Sequence, residues 1–181
     1  MDITIFGWKR DHLKNYINDC EKISEYLSEK NNRIYTGGGG GFMLAANKGC
    51  YKINKKNSFA ISVKVLYGNE GENNDYYPNE NLTICETFAE RKDILIMQKD
   101  LFIIFPGGIG TLDEFTELIN LMKTNSIEKK PVILYGSKFW DNFKKWCNNE
   151  IHDYYPEEYI TCIVDNVDEF KKYYEKNFSD F

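Results

Sequence analysis

Short apolar runs alternate along the chain with longer segments in which apolar residues recur at helical spacing. Six of the runs have the length of β-strands and cover residues 3–6, 33–35, 59–66, 101–105, 132–135 and 160–164. The run at 101–105 is apolar at every position, which is typical of a strand buried on both faces of a sheet. This alternation predicts an α/β fold with a mainly parallel sheet and helices on both faces.

Four further segments are predicted helices, at residues 13–27, 86–98, 115–122 and 167–181. Apolar residues fall at helical spacing most clearly in the segments 13–27 and 115–122. The segment 67–81 is polar, contains Gly68, Gly71 and Pro78, and has no periodicity, so we expect a surface loop there. A loop of this length often carries function.

The composition is that of one globular domain. The 181 residues, 42% of them hydrophobic, are enough to bury a full core without disulfides or metal, so we expect a single domain over residues 1–181. The formal charge of −5 provides no net positive field for a polyanion, which argues against nucleic acid as a partner.

The cysteines and the lengths of the apolar runs indicate where in the cell the protein is located. The five cysteines are odd in number, include no C-x-x-C pair and stand with only two histidines, which favours reduced thiols in a cytosol over a zinc site. No apolar run approaches the roughly 20 residues of a membrane span, and no secretory signal pattern precedes the first strand. We therefore expect a cytoplasmic protein with no membrane partner.

The first of two glycine-rich turns, Gly37 to Gly41, stands between a predicted strand and a helix that contains Met43. Glycines let backbone N–H groups approach a ligand closely, and a helix N-terminus adds about half a positive charge. The turn therefore favours a nucleotide phosphate, with Gly37, Gly38, Gly39 and Met43 as candidate contacts. A flexible linker or a close contact between helix and strand is the alternative interpretation.

The second turn follows the apolar run at 101–105 and has the sequence Pro-Gly-Gly-Ile-Gly-Thr over residues 106–111. This order predicts a nest of N–H groups at the carboxyl edge of the sheet, where ligands bind in open α/β folds. The candidate phosphate contacts are Gly107, Gly108, Gly110 and Thr111. The turn lacks the Gly-Lys-Ser/Thr ending of a P-loop, so hydrolysis of a nucleoside triphosphate with magnesium is not supported.

Two charged groups near the second turn have competing explanations. Thr111 and Glu114 have the spacing of a capping box, so Glu114 could simply hold the start of a helix, or it could stand above a bound phosphate and act on the attached sugar. Arg91 and Lys92 could form a solvated basic face, or Arg91 could hold a phosphate or orient Glu114. Spacing alone leaves these alternatives open.

Together the motifs resemble the LOG ("Lonely guy") family, whose members were once widely labelled as lysine decarboxylases. The resemblance rests on Thr-Gly-Gly-Gly-Gly-Gly-Phe-Met at 36–43, Ala-Ala-Asn-Lys-Gly at 45–49, Arg-Lys at 91–92 and Pro-Gly-Gly-Ile-Gly-Thr-Leu-Asp-Glu at 106–114. It runs from residue 3 to about residue 135 and implies a Rossmann-like, doubly wound fold and a homodimer. It also implies hydrolysis of the N-glycosidic bond of a nucleoside 5′-monophosphate, often a cytokinin riboside monophosphate, to the free base and ribose 5-phosphate.

Carried over by position, the resemblance assigns Glu114 and Arg91 as the catalytic pair, with Lys92 beside Arg91. The matching phosphate cradle consists of Gly107, Gly108, Gly110 and Thr111. The chain departs from the family pattern at Trp8, Gly40 and Leu44. Trp8 and Leu44 could reshape the pocket for the base, so these departures concern the identity of the substrate more than the phosphate site.

Two other functions compete with the hydrolase interpretation. A non-catalytic nucleotide-binding or sensor module of the same fold would bind a nucleotide without releasing the base. A pyridoxal-phosphate decarboxylase would need a lysine that forms a Schiff base, and Lys48 and Lys92 are better explained as helix-surface or phosphate-binding groups. We therefore expect no cofactor.

Overall fold

The structure, a computed structural model, describes residues 1–10, 13–68, 73–150 and 155–178. Within these residues, seven strands form one parallel sheet in the order β4-β3-β2-β1-β5-β6-β7. The strands are β1 (Asp2–Phe6), β2 (Arg33–Thr36), β3 (Ser58–Val63), β4 (Leu82–Cys85), β5 (Leu101–Ile104), β6 (Val132–Tyr135) and β7 (Cys162–Val164). The predicted fold class is confirmed, and the described sheet is parallel throughout.

The α-helices of the described residues cover both faces of the sheet. One face carries α1 (Lys14–Glu29), α2 (Phe42–Asn54) and α6 (Val167–Phe178), and the other carries α3 (Phe88–Ile96), α4 (Ile109–Lys123) and α5 (Ser137–Glu150). The first helix shows how the sequence specifies this packing, because Cys20, Ile23 and Leu27 recur at helical spacing and are fully buried in one cluster with residues of the sheet.

The central strand β5 is buried along its whole length. Its side chains alternate between the two faces, so that Ile103 packs in the cluster with α1 and α2 while Ile104 packs in the cluster with α3, α4 and α5. Strand β5 pairs with β1 in a register that joins Ile3 to Leu101. Because full burial of an apolar side chain stabilises the fold by about 1.5–3 kcal/mol, this strand is a principal source of stability.

The strand order reverses between β1 and β5, where open α/β sheets leave a crevice at the carboxyl ends of the strands. Backbone hydrogen bonds join the loops at this crevice: Trp8 N donates to Pro106 O at 3.3 Å, and Phe42 N donates to Trp8 O at 3.0 Å. Gly41 has a φ of +60°, and a Cβ at this position would collide with the carbonyl of Trp8. The loops that follow β1 and β2 can meet because residue 41 is glycine.

The structure corrects the bounds of several predicted elements. The strand expected at 59–66 is Ser58–Val63, and the one expected at 160–164 is Cys162–Val164. The segments 13–27 and 86–98 contain α1 and α3 with shifted ends, and 115–122 lies within a longer helix, α4. Sequence analysis does not predict β4 or α5. Residues 179–181 of the expected last helix lie outside the described residues.

The expectation of a surface loop at 67–81 is wrong for part of this segment. Residues 69–72 lie outside the described residues, but Asn74 is only 5% exposed and hydrogen bonds to the first glycine turn. Tyr76 O accepts a hydrogen bond from Ser58 Oγ in β3 at 2.7 Å. Asn74 therefore packs against the first glycine turn, and Tyr76 packs against the start of β3.

The five cysteines are free thiols in the described residues. Cys20, Cys50, Cys85 and Cys147 are buried, and Cys162 is partly buried. Burial raises the pKa of the Cys50 thiol to about 11, with smaller opposing effects from hydrogen bonds to Ser28 and Ile34. None of the helices in the described ranges is long and apolar enough to cross a membrane.

Candidate functional site

A cavity of about 290 Å³ opens at the carboxyl ends of β1, β2, β3 and β5. Its polar wall includes Ser62, Arg91, Thr111 and Glu114. Its apolar wall includes Trp8, Met43, Leu66, Phe88 and Ile109. Mixed walls of this kind, at the switch point of a parallel sheet, are typical of ligand sites in α/β proteins.

An ion pair between Arg91 on α3 and Glu114 on α4 forms the base of the cavity. Arg91 Nη1 donates to Glu114 Oε1 at 2.9 Å, and Arg91 Nε donates to Ile61 O at 3.0 Å. The two side chains are 11% and 12% exposed. Within the described residues, Arg91 bonds Oε1 of Glu114, so Oε2 can accept a hydrogen bond from a ligand.

The capping-box alternative for Glu114 is wrong. Helix α4 begins at Ile109, two residues before Thr111, and Gly108 precedes its first turn without a side-chain cap hydrogen bond. Glu114 therefore lies in the second turn, where its carboxylate turns inward to Arg91 instead of back to the helix N-terminus. The side chain of Arg91 is largely buried, so the interpretation as a solvated basic face is wrong for this residue, and its bond to Glu114 supports the role in which it orients that carboxylate.

The charge of Glu114 depends on two opposing effects. Burial raises the pKa of its carboxyl above the ordinary value, because the charged form loses solvation. The charge and hydrogen bond of Arg91 lower that pKa, and more distant charges on Asp113 and Lys92 act in opposite directions. The net effect is a raised pKa, a perturbation that is common for carboxyl groups at functional sites.

The second glycine turn brings the start of α4 to the cavity wall. Gly108, Ile109, Gly110 and Thr111 line the cavity. The first amides of a helix have no partner within the helix and carry a partial positive charge, so this wall can accept an anion. Gly107 lies behind the wall, where a Cβ would overlap the side chain of Thr111.

The first glycine turn contacts the ion pair. Gly37, Gly39 and Met43 line the cavity. A Cβ at Gly37 would overlap Arg91 Nη2 and would stand 2.9 Å from Met43 Sδ, so glycine is required for the guanidinium to lie where it does. Gly38 is turned away, since its N–H donates to Thr36 Oγ1 at 3.0 Å.

Lys92 does not line the cavity, and its side chain faces α4 instead. Its ammonium group forms ion pairs with Asp113 and Glu117 of α4. These contacts raise the pKa of Lys92, with the hydrogen bond to Glu117 as the largest cause. The structure thus brings Arg91, but not Lys92, to the candidate site.

Outside the two glycine turns, sequence reasoning missed five lining residues: Gly7, Lys9, Ser62, Leu66 and Phe88. Ser62 and Leu66 stand at and beyond the carboxyl end of β3, and strand ends at this edge are a recognisable signal once the sheet is predicted to be parallel. Phe88 precedes Arg91 by three residues and shares its face of α3. Trp8, which was suspected of shaping the base pocket, lies on the cavity wall beside Gly108. Within the described residues, no cluster of three or more potential metal ligands is found.

These features define a Rossmann-like α/β protein with a cavity of polar and apolar walls at the switch point of its sheet. A family model described as "possible lysine decarboxylase" matches residues 43–176. The chain belongs to this family, which is the LOG family that its glycine motifs resemble.

Two curated relatives carry the name cytokinin riboside 5′-monophosphate phosphoribohydrolase. The one from Mycobacterium tuberculosis is 30% identical over 91 residues, which are 49% of this chain and 49% of the relative. The one from Mycobacterium marinum is 28% identical over 93 residues, 50% of each chain. The chain therefore matches about half the length of these relatives.

Solved structures match almost the whole chain at low identity. The molybdenum cofactor carrier protein from Chlamydomonas reinhardtii has a TM-score of 0.68 and 16% identity, with 97% of this chain and 96% of that chain covered. The molybdenum cofactor binding protein from Rippkaea orientalis has a TM-score of 0.67 and 17% identity, with 97% and 95% covered. At such identities these similarities show the fold alone.

Proposed function

We propose that the chain hydrolyses the N-glycosidic bond of a nucleoside 5′-monophosphate to give the free base and ribose 5-phosphate. The observation that carries the proposal is the buried pair of Glu114 and Arg91, which faces the same cavity as the N-terminus of α4. The names of the two mycobacterial relatives support this type of reaction.

The substrate phosphate would bind at the start of α4, against Gly108, Gly110 and Thr111. Anchoring the phosphate there fixes the position of the attached ribose, and this orientation lowers the barrier for reaction at the anomeric carbon. Lys92 could reach the phosphate only by giving up its ion pairs with Asp113 and Glu117, so its phosphate-binding role stays a prediction. The same holds for Gly38, whose N–H is already bonded to Thr36.

Glu114 would act on the sugar. Cleavage of an N-glycosidic bond passes through a cationic, oxocarbenium-like ribose, and a nearby carboxylate stabilises this charge. A water molecule oriented by Glu114 would form the new C–O bond as the C–N bond breaks, and its proton would leave with the base. Arg91 would hold Glu114 in place and favour its ionised form.

The base would lie between the apolar walls, which include Trp8, Leu66 and Phe88. Flat aromatic and aliphatic side chains suit a planar heterocycle, because stacking and burial do not require a particular pattern of hydrogen bonds. A cytokinin riboside monophosphate, the substrate named for the relatives, is one candidate.

Release of the base distinguishes this proposal from the alternative of a non-catalytic nucleotide-binding or sensor protein. The fold does not decide between them, since the fold is shared with proteins described as molybdenum cofactor carriers. Incubation of the purified protein with a panel of nucleoside monophosphates, followed by chromatography, would show free base if the hydrolase proposal is correct. Nucleotide binding with no base released would support the alternative.

Replacement of Glu114 by Gln tests the residue that carries the reaction. We expect nucleotide binding to persist and kcat to fall by about 10²-fold or more, because a positioned carboxylate is lost while the cavity keeps its shape. Glu117→Gln, one turn further along α4, is the matched control and should keep kcat near that of the wild type. Turnover in Glu114→Gln close to the wild-type value would remove Glu114 from the mechanism.

The homodimer and the cytosolic location also remain proposals. Exposed apolar side chains near the cavity support pairing, since Ile109 is 84% and Phe88 50% exposed. An apolar groove of about 430 Å³ between α4 and α5 adds Trp146 to this surface. Light scattering on the purified protein would give its mass in solution and so test for the dimer.

A further inference from the structure

A buried asparagine outside the cavity wall holds the first glycine turn. The backbone N–H of Asn74 donates to Gly38 O at 2.8 Å. Its side-chain Nδ2 donates to Gly38 O at 3.0 Å, to Gly39 O at 2.9 Å and to Asn47 Oδ1 at 3.2 Å. With 5% exposure, Asn74 makes these bonds away from solvent, where unpaired carbonyl groups are costly.

A second set of bonds, which shares Asn47 Oδ1 with the first, also fixes the turn. Thr36 Oγ1 accepts from Gly38 N at 3.0 Å and donates to Asn47 Oδ1 at 2.6 Å. Asn47 Nδ2 in turn donates to Ser58 Oγ at 2.9 Å. The turn is therefore held in one network that includes Asn74, Asn47 of α2 and Ser58 of β3.

The glycine turn at residues 37–39 packs against the guanidinium group of Arg91. Gly37 lies so close to Arg91 Nη2 that no Cβ fits between them, and Ile61 O and Glu114 Oε1 receive the Nε and Nη1 hydrogens. The guanidinium thus has two hydrogen-bond partners and one backbone wall. A shift of the backbone at Gly37 would therefore move the guanidinium of Arg91, and with it the carboxylate of Glu114.

We propose that Asn74 is a positioning residue for the pair of Arg91 and Glu114, which it places through the backbone of the turn at residues 37–39. The catalytic consequence rests on the proposed function, whereas the placement of Arg91 does not. In this proposal, Asn74 of the segment 73–81 supports the site through the glycine turn instead of contacting the ligand.

Asn74→Asp is the sharpest test, because it keeps the size of the side chain and replaces the Nδ2 donor by an oxygen that faces three acceptors. Asn74→Ala removes the same bonds without adding charge. Asn81→Asp is the matched control: Asn81 belongs to the same segment, and its Nδ2 donates to Lys56 O and Ser58 O, both at 2.9 Å, away from the glycine turn.

The first readout is kinetic. We expect both Asn74 variants to lower kcat by about tenfold or more, since small displacements of catalytic groups have effects of this size, while KM changes much less. Asn81→Asp should keep kcat near the wild-type value even where its thermal stability falls. An equal loss of kcat in Asn81→Asp would overturn the proposal, because the effect would then follow stability.

The second readout is independent of catalysis. The chain has three arginines, Arg10, Arg33 and Arg91, so its arginine Nε–H signals can be assigned by nuclear magnetic resonance with an Arg91→Lys variant. We expect the Arg91 signal to shift and to exchange faster with solvent in both Asn74 variants, and to stay unchanged in Asn81→Asp. An unchanged signal in the Asn74 variants would overturn the proposal, whereas a shifted signal in a protein that releases no base would reject only the proposed function.

Discussion

Glu114 illustrates how one residue can be placed at a cavity at a cost in solvation. Its carboxylate is buried, which favours the neutral acid, and Arg91 at 2.9 Å partly restores the charged form. A carboxyl group in water would need no such partner.

The pH dependence of turnover follows from the raised pKa of Glu114. If the ionised carboxylate acts, kcat/KM rises as pH increases through that pKa, and this acid limb lies at a higher pH than the ordinary glutamate value of 4.5. The limb should disappear in Glu114→Gln and persist in Asp113→Asn, because Asp113 is a solvent-exposed neighbour. A profile measured from pH 4 to 9 with a limb retained in Glu114→Gln would show that another group titrates.

At the scale of elements, two glycines in the site have opposite structural settings. Gly37 has no room for a Cβ beside Arg91, whereas a Cβ at Gly110 would meet nothing within 4 Å. The same substitution, glycine to alanine, should therefore have different consequences at the two positions.

Gly37→Ala should lower kcat by displacing Arg91, with a smaller effect on folding because the obstructing atom is the end of a side chain. Gly49→Ala is a control with a collision elsewhere, since its Cβ would strike the carbonyl of Glu21 between α1 and α2. We expect Gly49→Ala to reduce thermal stability and leave kcat unchanged at permissive temperature. Steady-state kinetics and thermal unfolding together separate the two effects, and normal kcat in Gly37→Ala would contradict the role given to this close approach.

Gly110→Ala should stabilise the protein, by up to about 0.5–1 kcal/mol, because alanine favours the helix in which residue 110 lies. The added methyl group lines the cavity, so it should also weaken binding of the phosphate and raise KM for a nucleoside monophosphate. Denaturant unfolding and kinetics would measure these effects. An unchanged KM would place the phosphate away from the start of α4.

The predictability of these elements varied with the strength of their sequence signal. Strand β5 was predictable because residues 101–105 are apolar without interruption. Strand β4 was missed because this edge strand contributes only four residues, two of them exposed. Helix α5 was missed although Phe139, Trp140, Phe143 and Cys147 recur at helical spacing, a signal that could have revealed it.

The candidate site was predictable only in part. The glycine motifs marked both turns, because strand, glycine and helix follow one another directly in the sequence. The contact of Arg91 with Glu114 joins residues 23 positions apart on different helices, and no spacing rule applies at that distance. The burial of Asn74 likewise depends on tertiary packing, which a polar segment without periodicity does not reveal.

At the scale of the whole molecule, the centre of the sheet positions the site. The loops that follow β1 and β5 contribute walls of the cavity. The two strands pair with each other, and side chains packed on both faces of the sheet bury this pairing. The stability of the fold should therefore depend on this central pair more than on the outer strands.

Ile103→Ala tests that dependence. Ile103 is fully buried in β5, and its truncation should reduce the free energy of unfolding by about 2–5 kcal/mol through lost burial and a residual cavity. Ile163→Ala in β7, where the side chain is 38% exposed, should reduce it much less. Urea unfolding of both variants measures the difference, and similar losses would contradict the view that the core is centred on β5.

Because Cys20 and Cys50 are buried free thiols, their rates of alkylation would report local opening of the structure. Thiolate is the reactive form of cysteine, and the packing around Cys20 and Cys50 both raises their pKa and excludes reagents. Cys20 Sγ contacts Phe42 O of α2 and Cys50 Sγ contacts Ser28 Oγ of α1, so alkylation of these two sulfurs requires that the packing between α1 and α2 opens. The rate of alkylation at each cysteine would measure how often that part of the structure opens, and no added label would be needed.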